Sequence, residues 1–163
     1  MSFKLSQRSL DRLEGVHPSL LSTVEKAIQL TKVDFGCSCG VRTIEEQKVL
    51  LAKGASTTMK SKHLIQEDGY SHAVDLIAYL EGRVSWELNL YDDIADAMKE
   101  AADELDIAIV WGAAWHIKDL RSFDGTMEDA MNEYIDLRRS QGRRPFIDGP
   151  HFQISELSAA MVA

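Results

Sequence analysis

The chain has 163 residues, 45% of them hydrophobic and 27% charged. That is enough for one domain with its own core, with no need of disulfide or metal staples merely to fold, and it excludes extensive disorder. Eighteen Lys and Arg against 26 Asp and Glu leave a net charge of −8, a field that works against non-specific binding to nucleic acid or anionic lipid. A monomer with no nucleic-acid partner and no membrane insertion is expected.

The first residues, Met1 to Arg8, carry no apolar run, so no secretory signal is read there and synthesis in the cytoplasm is expected. His17-Pro18 reads as a helix start, with Leu21, Val24, Ala27 and Ile28 following at helical spacing; His17 itself is expected to face solvent. Val33 to Cys39 is short and partly β-like. Cys37 and Cys39 are the two cysteines. Their spacing suits a disulfide poorly and a Cys-x-Cys metal site lacks a further Cys, so buried reduced thiols are expected. Thr43-Ile-Glu-Glu46 has the capping-box pattern and opens a helix to about Ala52, ending near Gly54.

Residues 55–71 are polar and irregular. His72 to Leu80 is nearly all apolar and reads as a buried strand, turned by Gly82 towards Val84-Ser-Trp86. Ile94, Ala97, Met98, Ala101 and Leu105 share one face of an amphipathic helix. Ile107 to Trp111 predicts a short strand, residues 126–141 a helix, and Phe152 to Ile154 a last strand. Helices and strands mix without βαβ alternation, which predicts an α+β fold.

One residue is out of place. Asp75 lies inside the apolar run His72-Ala-Val-Asp-Leu-Ile-Ala-Tyr79, where an isolated carboxylate is costly unless paired, protonated or bound to metal. An Arg partner or backbone capping would satisfy it. So would zinc: His63 in Ser61-Lys-His63 and His151 in Asp148-Gly-Pro-His151 supply two imidazoles, and two imidazoles with one carboxylate leave a fourth position for water. His72 competes as a ligand, but three positions along a strand put it on the face opposite Asp75, which makes it a packing or supporting residue. His116, near a turn, reads as a surface residue. Spacing alone leaves these alternatives open.

The segments Gly40-Val-Arg-Thr-Ile-Glu-Glu-Gln47, Ser61-Lys-His63, His72-Ala-Val-Asp75-Leu, Leu90-Tyr-Asp-Asp-Ile-Ala-Asp-Ala-Met98, Trp111-Gly112 and Asp148-Gly-Pro-His151-Phe together resemble the zinc D-alanyl-D-alanine carboxypeptidase superfamily. Within it they are most similar to the L-alanyl-D-glutamate endopeptidase branch, which includes phage endolysins. The resemblance implies a Hedgehog/DD-peptidase fold, a small antiparallel sheet flanked by helices. It implies Zn2+ on His63, Asp75 and His151, Asp148 as general base, and Arg42 stabilising the oxyanion or holding a substrate carboxylate. It makes Ser61 and His72 supporting residues. Without it, Arg42 reads as a salt-bridge residue and Asp148 as a turn residue before Gly149-Pro150.

Two departures stand out. Leu64 to Ser71 lengthens the loop between His63 and Asp75, and Trp111-Gly-Ala-Ala-Trp115 lacks an Asp of the family pattern. Residues 117–146 read as a helical insertion in a single catalytic domain spanning 1–163, without a separate cell-wall-binding domain. Its Arg138, Arg139, Arg143 and Arg144 form either a solvated helix face or a cleft wall. The implied activity is hydrolysis of the L-Ala-D-Glu bond of peptidoglycan stem peptides by an endolysin released onto periplasmic murein. The alternatives are a D-Ala-D-Ala carboxypeptidase or dipeptidase, from which Asp148 in place of Glu tilts away, and a non-catalytic zinc-stabilised binding domain.

Overall fold

The computed structural model describes residues 2–157. The chain adopts the expected α+β arrangement. In order, the elements are α1 (Gln7–Arg12), α2 (Pro18–Leu30), β1 (Asp34–Cys39), α3 (Ile44–Ala52), β2 (Ala73–Leu80), β3 (Arg83–Ser85), α4 (Leu88–Leu105), β4 (Ile109–Trp111), a 3-10 turn (Leu120–Ser122), α5 (Met127–Ser140) and β5 (His151–Ile154). All strand pairings are antiparallel and run β1-β2-β5-β4, with β3 pairing the far end of β2.

Side-chain alternation divides the sheet into two faces. Val74, Leu76 and Ala78 of β2, Phe152 and Ile154 of β5, and Phe35 and Cys37 of β1 join α2 and α4 in one hydrophobic cluster. Asp75 and His151 fall on the opposite face. Ser38 interrupts the alternation on β1: Cys37 pairs with Leu76, but Cys39, not Ser38, pairs with Asp75. This bulge inserts one residue and turns Cys39 from the core face to the other. The expectation of two buried thiols is therefore corrected. Cys37 is buried, and burial above all pushes its thiol up to about 12, whereas Cys39 is half-buried beside Asp75. Both are free thiols.

The capping box is present: Thr43 Oγ1 accepts from Glu46 N at 3.1 Å and Glu46 Oε1 from Thr43 N at 3.1 Å. Other boundaries shift. β2 begins at Ala73 and β4 at Ile109, while β5 includes His151. Helix α1 was not expected; six residues with an exposed Leu10 give no helical periodicity. It braces β1, since Ser9 Oγ accepts from Cys37 N at 2.9 Å and Arg12 Nη1 donates to Cys37 O at 3.1 Å. The predicted insertion is no appendage: Leu120, Met127, Ala130 and Met131 lie in the common core.

His17 does not face solvent. It is buried, and its Nδ1 accepts the Ser19 amide at 3.1 Å, which caps α2 in place of a Ser or Asp. His116 is likewise only half-exposed, bonding Glu133 at 2.9 Å and stacking on Tyr134. Among the described residues no helix is long and apolar enough to cross a membrane.

Candidate active site

Three adjacent strands place Cys39, Asp75 and His151 in one row, because β2 pairs Asp75 with Cys39 on one side and with His151 on the other. His63 reaches the row from the loop before β2. Its Nε2 lies 3.2 Å from Asp75 Oδ1, and His151 Nδ1 lies 3.3 Å from the same oxygen. The sequence-predicted His63, Asp75 and His151 therefore meet at a single carboxylate oxygen. Arg42 faces the other, with Nη2 3.9 Å from Oδ2.

Each imidazole is fixed by its outer nitrogen. His63 Nδ1 donates to Gly40 O at 2.9 Å, and His151 Nε2 donates to Gln153 Oε1 at 2.9 Å. In their neutral forms both rings then aim a lone pair at an oxygen that can only accept. Three acceptors converging on one point call for a cation. Without a metal a proton serves: burial would lower the pKa of His63, but hydrogen bonds to Asp75 and Cys39 outweigh this and raise it to about 10. Burial would raise Asp75, but bonds from His151 and His63 hold it well below the ordinary carboxylate range. With a metal, the two imidazole–carboxylate edges fit, although His63 and His151 fall in separate candidate groups that share Asp75. Tetrahedral zinc with bonds of about 2.0–2.1 Å has ligand–ligand edges of roughly 3.3 Å, close to the two N···O separations.

The described residues contain two overlapping groups able to hold a metal, Cys39–His63–Asp75 and Asp75–Asp148–His151. They share Asp75. Cys39 Sγ lies 3.6 Å from His63 Nδ1, the nitrogen already committed to Gly40, so the thiol flanks the outer edge of the ring. Asp148 stands with Asp75 and His151. Burial first, and then the charge of Asp75, raise its carboxyl above the ordinary range.

Backbone contacts set these positions. A Cβ on Gly40 would run into the carbonyl of Arg12, and one on Gly112 into the carbonyl of Asp148 and the side chain of His151. Only glycine lets these segments close. Asp148 N donates to Gly112 O and Gly112 N to His151 O, each at 2.8 Å. Ser61 Oγ accepts from His63 N at 3.2 Å and from Arg42 Nη1 at 3.4 Å, so it braces both. His72 takes no part in the cluster: it lies just before β2 and bonds Asp68 at 2.7 Å.

The longer loop is absorbed by closing on itself. Gln66 N donates to Tyr70 O and Gly69 N to Gln66 O, each at 2.9 Å, while His72 N donates to Lys62 O at 2.9 Å. The two ends of residues 64–71 are thereby brought together, and His63 keeps its place whatever lies between.

Two contributions were not anticipated. Gln47 lies in a quoted motif, but its role depends on partners distant in sequence. It is fully buried; Oε1 accepts from Arg42 Nη1 at 2.8 Å and Nε2 donates to Thr58 O at 2.6 Å. Trp115 packs 5.3 Å from His151 and stacks on Phe146, which is 62% exposed. These aromatics form one wall of a cleft of about 540 Å³ that holds Arg42, His63, Asp75, Asp148 and His151. The arginine cluster does not line it. Arg138 instead folds onto Arg144 O at 3.1 Å, fixing the turn that leads to Phe146.

The family model for phage L-alanyl-D-glutamate peptidase matches residues 1–155. The L-alanyl-D-glutamate peptidase of Escherichia phage T5 is 31% identical over 120 residues, 71% of this chain and 84% of that protein. The crystal structure of the Serratia marcescens L-Ala D-Glu endopeptidase ChiX superposes with a TM-score of 0.66 at 31% identity, covering 93% of this chain and 90% of that one. Sequence and fold agree, and the chain belongs to the phage L-alanyl-D-glutamate peptidase family.

Proposed function

We propose that the protein is a zinc-dependent endopeptidase that hydrolyses the L-Ala-D-Glu amide of peptidoglycan stem peptides, acting as a phage endolysin on periplasmic murein during host lysis. The observation that carries this is the meeting of His63, Asp75, Asp148, His151 and Arg42 in one cleft. Family membership supports the bond.

His63 Nε2, Asp75 and His151 Nδ1 would hold the metal. Zinc bound there supplies Lewis-acid polarisation and a more acidic water. Asp148 is the general base: its carboxylate takes the proton of the attacking water and delivers it to the departing amide nitrogen. Its raised pKa suits both halves of that task. Arg42, held by Gln47 and Ser61, presents its guanidinium to the negative charge developing on the carbonyl oxygen. Trp115 and Phe146 form the wall of the cleft beside His151.

Digestion of purified murein followed by mass analysis tests the reading. Free stem peptides beginning with D-Glu are expected, EDTA should stop their release, and zinc should restore it. Asp148→Ala should retain bound zinc yet lose at least about a hundredfold in rate. Release of D-Ala alone, or full activity of Asp148→Ala, would overturn the bond or the mechanism respectively.

A further inference from the structure

The cleft carries cationic groups that the catalytic scheme does not use. Lys60 and Lys62 flank Ser61, and all three line the cleft beside His63. The backbone beneath them is pinned. Gln47 Nε2 donates to Thr58 O at 2.6 Å, Lys60 N to Thr58 Oγ1 at 2.9 Å and His72 N to Lys62 O at 2.9 Å.

Among the described residues neither ammonium lies within ion-pair distance of a carboxylate. The lysine ion pairs among the described residues are Lys26–Glu104 and Lys32–Asp93. The acids lining the cleft are Asp75 and Asp148, both belonging to the catalytic cluster. Arg42 is opposed by Asp75 and tied to Gln47, so the unpaired positive charge of this wall is that of the two lysines, of which Lys62 also borders a neighbouring cleft holding Glu67, Asp68 and Glu156. In a protein of net charge −8, an unpaired cationic wall next to the reacting groups selects for an anion.

The substrate class named above supplies one at the right place. The amide nitrogen released by cleavage belongs to D-Glu. Because the stem peptide continues through the γ-carboxyl, the α-carboxyl is left one carbon from that nitrogen. It occurs in two chemical forms in murein, as a free carboxylate or as a neutral amide. We propose that Lys60 and Lys62 form a carboxylate subsite that reads this group, so that the enzyme selects stem peptides with a free D-Glu α-carboxylate over amidated ones. This rests on the peptidase reading given above.

Two synthetic stem peptides, identical except for a free or amidated α-carboxyl on D-Glu, test it. The unmodified enzyme should cut the free form with a kcat/KM roughly tenfold or more higher, the range of a charge-assisted hydrogen bond. In the double variant K60Q/K62Q that ratio should fall to about one, chiefly through KM, and K60R/K62R should keep it. Equal cleavage of both peptides by the unmodified enzyme, or a preference that survives K60Q/K62Q, overturns the subsite while leaving the peptidase reading intact. Failure to cut either peptide removes the peptidase reading, and the subsite falls with it.

Discussion

Gln47 is a positioning residue whose whole side chain is engaged: one amide end holds Arg42 and the other holds Ser56 and Thr58. Gln47→Leu removes the shortest bond to Arg42, which keeps only its longer contacts to Ser61 and Asp75, and the bond to Thr58 O, and should cost about 1–3 kcal/mol of stability. Because Arg42 then wanders, kcat should also fall by roughly tenfold to a hundredfold with little change in KM. Gln47→Glu, which keeps an acceptor for Arg42, should recover part of kcat. A melting curve beside steady-state kinetics checks this; a loss of rate no larger than the loss of folded protein would assign Gln47 to stability alone. Asp148 makes a pH statement. As the proposed base it must be ionised to accept a proton, and burial and the charge of Asp75 raise its carboxyl. Activity should therefore fall on acidification with a midpoint above the ordinary carboxylate value of about 3.9.

Gly112 shows why the sheet edge and the cleft cannot be altered separately. Its backbone exchanges hydrogen bonds with Asp148 and His151 at 2.8 Å, and a side chain there would strike both. Gly112→Ala should displace Asp148, the proposed base, and the His151 imidazole together. The expected result is weaker zinc retention on dialysis and a rate loss beyond about a hundredfold, with far-UV circular dichroism unchanged. The elements carrying these residues were only partly legible in sequence. The capping box, the α4 stripe and the strand around Asp75 have local signatures. The row of Cys39, Asp75 and His151 does not, since it arises from strand order and the bulge at Ser38. His17 misled because a buried imidazole capping a helix looks the same in sequence as an exposed one. Gln47 and Phe146 gave no signal because their partners lie far along the chain.

At the scale of the whole molecule, the core is built from the helix face of the sheet together with α2, α4 and α5, and it does not include the candidate ligands. Chelation should lower the thermal midpoint yet leave the protein folded at 25 °C, as followed by circular dichroism; outright unfolding in EDTA would favour a metal-stabilised binding domain. One buried group strains this core. Asp92 on α4 is 5% exposed, its Oδ1 has no partner, and burial, followed by the charges of Glu128, Asp93 and Asp96, pushes its pKa to about 6. The unfolded chain ionises this group near pH 3.9, so the native state loses stability as pH rises from about 4 to 6 and stays lower above. Asp92→Asn should raise the thermal midpoint at pH 7, and the gain should vanish below about pH 4.

The loop at residues 64–71 carries a practical consequence. Its ends are joined by backbone bonds next to His63 and β2, and Asp68 fastens it to His72 and lies 3.7 Å from His17. The exposed tip beside Asp68 can therefore change length, provided Asp68 is kept, without transmitting movement to the candidate metal ligands. It is a natural splice point, where a peptide for wall attachment or affinity capture can be grafted into the catalytic domain itself.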